Sequence, residues 1–350
     1  MGRFLAFGMA WTAAAVLSAL AILRSRRTNA LRRAGTVVVP RLRELQAKLA
    51  QLCAGGATSL TVVADFDRTI TAATVNGQRG LSCHGAIECC GVLSKSYRDA
   101  MSVAYAKYRP LEVDPTLPHD AKLRYMREWY AVNHENLVKE DLRRRHLPIA
   151  VRGANLALRE GAATLLRELE AQNVPTLIFS AGLADVLEEV LRQKYDRNFP
   201  QPTTHVVSNR MIFEPGNDEA SSSNEHDRDN DRLVGFSEPL LHMFNKRFDA
   251  IGDTTYAKSV LSQKRRCVLL LGDGLGDAAM ADGQPADCVI RVGFVNEQVQ
   301  ESLAHFSKAF DILVLNDGPM HVAIDIVRAC FDGVADTTSM PSLRNAVVLG

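Results

Sequence analysis

The chain has 350 residues, 47% of them hydrophobic, which is enough for a sizeable buried core and excludes a disordered chain. With 41 basic against 40 acidic side chains the formal net charge is +1, and aromatics are only 6%. The balance excludes a global field attracting a nucleic-acid polymer, and so few aromatics give little support to a stacking platform for one. Seven cysteines in no regular framework read as free thiols of a reducing compartment, and Cys83-His84 with Cys89-Cys90 fits no common zinc spacing.

In chain order, Phe4 to Leu23 (FLAFGMAWTAAAVLSALAIL) carries no charge and is long enough to span a bilayer. Arg24, Arg26, Arg27, Arg32 and Arg33 follow it, whereas only Arg3 precedes it. The expectation is a membrane anchor over 1–23, with the positive-inside tendency placing the catalytic domain in the cytosol. A secretory signal should carry its basic residues ahead of the apolar run, the reverse of what stands here. A mitochondrial presequence, or a soluble cytoplasmic protein after processing, is the alternative. Residues 24–57 read as a basic linker and helix, with helical spacing over Pro40 to Cys53 and a stop at Gly55-Gly56.

Leu60 to Ala64 (LTVVA) is a short apolar run that predicts a buried central strand of a parallel sheet, with Asp65 at its end. Residues 77–158 turn helical and read as an insertion. Helix–strand alternation then returns: a helix over Ala162 to Ala171, a strand over Val174 to Phe179 ending at Ser180, and a helix over Ala184 to Lys194. Further strands follow at His205 to Ser208, Cys267 to Leu271 and Phe310 to Leu315. This rhythm predicts a doubly wound α/β fold, with the core over 58–76 and 159–350. Gly216 to Arg232 is polar and reads as a surface loop.

Four elements carry chemistry. Asp65-Phe66-Asp67-Arg68-Thr69 follows a strand, so two carboxylates at i and i+2 can face one site, one attacking phosphorus and the other handling the leaving-group proton. A solvated strand-end turn is the alternative reading. Ser180-Ala181-Gly182 offers a hydroxyl and backbone N–H groups to phosphate oxygens, though a simple turn has the same sequence. Lys246 can neutralise charge on a phosphoryl group, although a lone lysine is more commonly solvated. Gly272-Asp273-Gly274-Leu275-Gly276-Asp277 places hard oxygen ligands at a strand end, as Mg²⁺ requires. It fits no dinucleotide fingerprint, since two aspartates would repel a pyrophosphate. Three of the four elements stand at ends of predicted strands, the position where open α/β sheets bind ligands.

In these elements the sequence resembles the haloacid dehalogenase superfamily and, within it, the cytosolic pyrimidine 5′-nucleotidase family with its 7-methylguanosine-phosphate-specific relatives. The stretches that carry the resemblance run from Leu60 onward and include VADFDRTIT, GLSCHGAIECCGVLS, YRPLEVDPTLP, YMREWYAVNH, FSAGLADVLEEVLRQ, VVSNRMIFE, GFSEPLLHMFNKR and LLLGDGLGDAAMADG. The resemblance implies a Rossmann-like core with a helical cap inserted after the first core strand. It implies Asp65 as nucleophile, Asp67 as general acid/base, and Mg²⁺ held by Asp65, the main-chain carbonyl of Asp67 and Asp273, with Asp277 steadying the site. Ser180, Ala181 and Lys246 would bind phosphate, and Glu112 would recognise the base. Asn133 stands where many members carry serine, Arg68 replaces an apolar residue, and GDGLGD stands for the commoner GDSQGD. Trp129 and Tyr130 would either stack on the base or pack the cap. The activity implied is Mg²⁺-dependent hydrolysis of a pyrimidine or 7-methylguanosine 5′-monophosphate through an aspartyl-phosphate, an intermediate that can also hand phosphate to another nucleoside. A phosphatase for another small metabolite and a membrane-tethered nucleotide-binding protein are the alternatives, and the oligomeric state is not written in the sequence.

Overall fold

The computed structural model describes residues 31, 33–114, 116–214 and 231–349. The first elements are strand β1 (Val37–Val39), helix α1 (Leu42–Ser59) and strand β2 (Leu60–Ala64). A small hairpin follows, β3 (Thr74–Val75) and β4 (Gln78–Arg79). Its two-residue turn is Asn76-Gly77, both at positive φ (52° and 75°), the backbone that a tight hairpin requires. Next come helices α2 (Cys83–Glu88), α3 (Lys95–Val113), α4 (His119–Lys139), α5 (His146–Gly153) and α6 (Ala162–Ala171). The alternating part comprises β5 (Thr176–Leu183), α7 (Ala184–Lys194), β6 (Thr204–Asn209), β7 (Met211–Phe213) and β8 (Leu233–Phe236). It continues with α8 (Thr255–Ser262), β9 (Cys267–Gly272), β10 (Cys288–Val295), α9 (Val299–Ala309), β11 (Ile312–Leu315), α10 (His321–Asp332) and β12 (Val347–Val348).

Eight strands form the main sheet in the order β12-β1-β11-β10-β9-β2-β5-β6. The pairs β6–β5, β5–β2, β2–β9, β9–β10 and β10–β11 are parallel. Side chains on a strand alternate between faces, and the central strands are apolar on both. Leu60, Val62 and Ala64 of β2 and Leu269 and Leu271 of β9 join one buried cluster; Val63, Val268 and Leu270 join the cluster on the opposite face. Helices cover both faces, giving the α/β fold expected.

Of the stretch 24–57, the described residues from 37 onward contribute to this core. β1 pairs antiparallel with β11 and parallel with β12, and Leu45, Leu49 and Leu52 of α1 are fully buried. Helical backbone breaks at Gly56 (φ 59°, ψ −170°), one residue into the predicted stop. Among the described residues no helix is long and apolar enough to cross a membrane, and Phe4 to Leu23 lies outside them. Most of the Gly216 to Arg232 loop also lies outside them.

Between the hairpin and α6 the chain is helical. Tyr97, Met101, Ala104 and Tyr108 recur at helical spacing and are the buried face of α3. That face meets α4, where Trp129 stacks on Tyr108 with ring centroids 5.9 Å apart, and Met243 and Phe244 from the core segment pack against the same cluster.

Candidate active site

Register explains why distant motifs share one site. Ala64 of β2 pairs with Leu271 of β9 on one side and with Ile178 of β5 on the other. Asp65, Asp273 and Ser180 therefore emerge close together at the carboxyl edge of three adjacent parallel strands. The Asp65 N–H donates to Leu271 O at 2.9 Å and fixes the first of them.

Lys246 is buried at 3% exposure and donates to Oδ1 of Asp65 and pairs with Oδ1 of Asp277, both at 2.6 Å. The other Asp277 oxygen accepts the N–H groups of Asp273 (3.1 Å) and Gly274 (2.8 Å). Asp277 thus ties the metal-type loop to the lysine. Gly272 is required beneath it, because a Cβ there would lie 2.4 Å from Asp277 Cβ.

Carboxylate oxygens of Asp65, Asp273 and Asp277 lie within 4.8 Å of one another. Burial lifts the Asp65 carboxyl to about 7; Lys246 opposes the rise, and Asp277 and Asp67 add to it. Burial, then the charges of Asp65 and Asp277, raise Asp273 well above the usual carboxylate range. Burial also works against the Lys246 charge, but Asp277 and Asp65 outweigh it and raise its pKa. One lysine against three clustered acids is a donor set that suits a hard divalent cation.

The Asp67 carboxylate lies outside that cluster. It accepts the backbone N–H of Cys83 (3.0 Å and 3.3 Å) at the start of α2, and burial raises its pKa. Ser180 is buried, and its Oγ accepts the N–H of Gly182 at 3.0 Å. The strand does not end at Ser180 as predicted but runs on to Leu183, with a register shift against β6 after Phe179.

Asp65, Asp67, Ser180, Ala181, Lys246, Asp273, Asp277 and Glu112 all line one cleft of about 640 Å³. Asn133 does not. It lines an adjoining cavity of about 720 Å³, among the helices 83–139, together with Trp129, Tyr130 and Tyr97. Glu112 and Tyr130 border both spaces. Trp129 stacks on Tyr108 in the helical core and also lines the cavity.

Several supporting residues were not foreseen. Asn209 donates to Ala181 O and Leu241 O, both at 2.9 Å, and accepts the Leu241 N–H at 2.8 Å, tying the serine turn to the segment that leads to Lys246. Arg159, 2% exposed, donates to Thr69 O (2.8 Å), Gly318 O (2.6 Å), Asn296 Oδ1 (3.0 Å) and Arg68 O, and pairs with Asp317 at 3.0 Å. Asn296 Nδ2 donates to the same Arg68 carbonyl at 3.0 Å. Arg68 is thereby held at φ 62°, a left-handed backbone uncommon outside glycine. Asn209 was visible in VVSNR as a polar residue ending a strand, and Arg159 as a charge interrupting LALREG.

A row of histidines joins the inserted helices to the core. His134 stacks on Phe236 at 3.8 Å and lies 6.3 Å from His84, and neither Nε2 atom has a hydrogen-bond partner. Burial pushes His84 down to about 4, His134 to about 3 and His242 to about 4. The unfolded chain, with histidines near 6.5, binds protons first, so this packing loses stability as pH falls below about 6.5. The melting temperature is expected to drop more steeply from pH 6.5 to 4 in the wild type than in His134→Phe; parallel curves would remove His134 from the acid-sensitive set.

The parallel sheet with strand-end carboxylates around a buried lysine is the haloacid dehalogenase-like fold, as the similarity to solved and curated proteins shows. The model of one family, pyrimidine 5′-nucleotidase (UMPH-1), matches residues 68–331. The chain is 33% identical over 285 residues to 7-methylguanosine phosphate-specific 5′-nucleotidase A of Xenopus laevis, covering 81% of this chain and 92% of the relative. It is 31% identical over 294 residues to the Homo sapiens 7-methylguanosine phosphate-specific 5′-nucleotidase, covering 84% and 92%. Among solved structures it is similar to cytosolic 5′-nucleotidase IIIB bound to cytidine. The TM-score is 0.72 at 27% identity, with 88% of this chain and 97% of that one covered. The chain belongs to the pyrimidine 5′-nucleotidase family, whose members are hydrolases.

The membrane-anchored placement expected from the first 23 residues is corrected here. No spanning helix exists among the described residues, and the similar solved structure and a Caenorhabditis elegans relative are both named as cytosolic 5′-nucleotidases. Apolar length and flanking arginines describe what a segment could do in a bilayer, and carry no information on where relatives of the fold reside.

Proposed function

We propose that the chain hydrolyses pyrimidine or 7-methylguanosine 5′-monophosphates to nucleoside and phosphate through an aspartyl-phosphate on Asp65. The observation that carries this reading is the buried Asp65–Lys246–Asp277 arrangement beside Asp273, opening into a cleft that Glu112 borders. Lys246, Ser180 and the backbone at Ala181 bind the phosphate and offset its charge. Asp65 attacks phosphorus in line; Asp67, kept protonated more readily by burial, gives its proton to the departing ribose 5′-oxygen. Asp67 then takes a proton from the water that cleaves the acyl phosphate. The carboxylates of Asp65, Asp273 and Asp277, with the Asp67 carbonyl, would hold Mg²⁺. The ion would relieve the repulsion among these acids and neutralise phosphate charge.

Residues 77–158 act as a cap over the core at 58–76 and 159–350. Glu112 faces the base and Asn133 lines the space beyond it. Support comes from the cavity among these helices, which adjoins the catalytic cleft at Glu112 and Tyr130. Water excluded by cap closure cannot intercept the acyl phosphate prematurely, which leaves transfer to a second nucleoside open as a side reaction.

The test is phosphate release by the full-length protein with Mg²⁺ from CMP, UMP, 7-methyl-GMP, AMP, GMP and phosphoserine. Release from one or more of the first three, abolished by chelation, is expected. Turnover of phosphoserine alone would reassign the substrate class, and folded protein inert toward all six would overturn the catalytic reading.

A further inference from the structure

Glu112 does not face the cleft as a lone carboxylate. Its Oε2 is ion-paired with Nη1 of Arg109, one helical turn earlier, while Oε1 has no partner among the described residues. The Glu112 side chain is 10% exposed and that of Arg109 42%, so the pair sits at the border of the cleft with its acid inside.

A second guanidinium lies at the same junction. Arg68 lines both spaces, is held at its backbone by Arg159 and Asn296, and has a buried Nε with no hydrogen-bond partner. No ion pair engages it among the described residues. Arg79, also on the cavity wall, is taken by Glu297 at 3.2 Å. Beyond the Arg109–Glu112 pair, the remaining cations are Arg68 and Arg98 on the wall and Lys122 at its edge, where Nζ donates to Glu112 O at 3.1 Å, against the acid Glu88. The base end of the site is therefore electropositive despite its glutamate.

Charge decides what such a cavity admits. A lone carboxylate shielded from water attracts a cationic ring; a carboxylate already paired with a guanidinium does not. The guanidinium also brings N–H donors, so the pair presents a donor beside an acceptor. We propose that Arg109 is a specificity-determining residue: by neutralising Glu112 it makes the site select a neutral nucleobase carrying an acceptor beside a donor, and reject the cationic 7-methylguanine. This rests on the reading of Glu112 as the base-facing carboxylate.

The experiment measures kcat/KM for CMP and 7-methyl-GMP with the full-length chain and Mg²⁺, in the wild type, Arg109→Met, Arg109→Gln, Arg109→Lys and Glu112→Gln. The wild type is expected to favour CMP. Loss of the Arg109 charge in Met or Gln should move the ratio toward 7-methyl-GMP by about tenfold, chiefly through KM, and Lys should stay near the wild type. An unmoved ratio in both neutral Arg109 variants, with a ratio shifted by Glu112→Gln, overturns the proposal and leaves Glu112 as the base reader. A ratio indifferent to Glu112→Gln as well takes down the Glu112 reading itself. A wild type that favours 7-methyl-GMP overturns the proposal outright.

Discussion

Asp65→Asn is expected to lower kcat by about 10⁴-fold or more while leaving the fold intact, because an amide of the same shape cannot attack phosphorus. The same substitution should not destabilise the metal-free protein at pH 8. Burial, opposed by Lys246, lifts the Asp65 carboxyl from its ordinary 3.8 to about 7. Between those values the folded chain holds a proton that the unfolded chain has released, so folding stability falls as pH rises through that window. Asparagine is neutral throughout and escapes this loss, and Lys246 keeps Asp277 at 2.6 Å. Steady-state phosphate release and a melting curve with chelator at pH 8 check the two halves. Retained turnover would remove Asp65 as nucleophile; a melting temperature lower by several degrees would show that its charge stabilises the fold.

Arg159→Met carries the largest expected loss of stability. The substitution leaves the carbonyls of Thr69 and Gly318 without their buried side-chain donor, leaves the Arg68 carbonyl to Asn296 alone, and removes the cation paired with Asp317. Removing one side of a buried charged network costs about 3–5 kcal/mol, which urea denaturation resolves. The surviving folded fraction should also be slower. Arg159 holds the turn that presents Asp67, and a displacement of about 1 Å in a reacting group can cost roughly 10²-fold in rate. Arg159→Lys keeps the charge but not the planar fork, and should fall between the two. Denaturation curves that overlay the wild type, with unchanged kcat, would sink this account.

Much of this site is legible before any coordinates. Asp65, Asp273 and Ser180 follow apolar runs, and the end of a buried strand is a place that physics marks twice, by hydrophobicity and by the sudden charge. The helices at Ala162–Ala171 and Ala184–Lys194 fall on the residues expected, because their apolar spacing is long and regular. What escaped reading is what depends on distance along the chain. β1 is three valines, too short to show a period, and acquires its meaning from β11 and β12. β10 is interrupted by Arg291, whose Nε is satisfied by Ala278 O at 2.8 Å. Arg159 looks like any surface charge until its acceptors arrive from residues 68, 69 and 318. Lys246 likewise reads as solvated, and only folding brings it between two acids. The Arg109–Glu112 pair was within reach, since residues three apart on a helix are neighbours.

β1 lies between β11 and β12, so the earliest and latest strands described share one border of the sheet. During synthesis the β1 backbone has no sheet partner until β11 has been made, and long-range pairing of that kind is slow and leaves an open strand edge in the interim. Fusions and deletions at opposite ends of the sequence consequently act on one and the same seam, and a lesion at either should be suppressible by reinforcing the other.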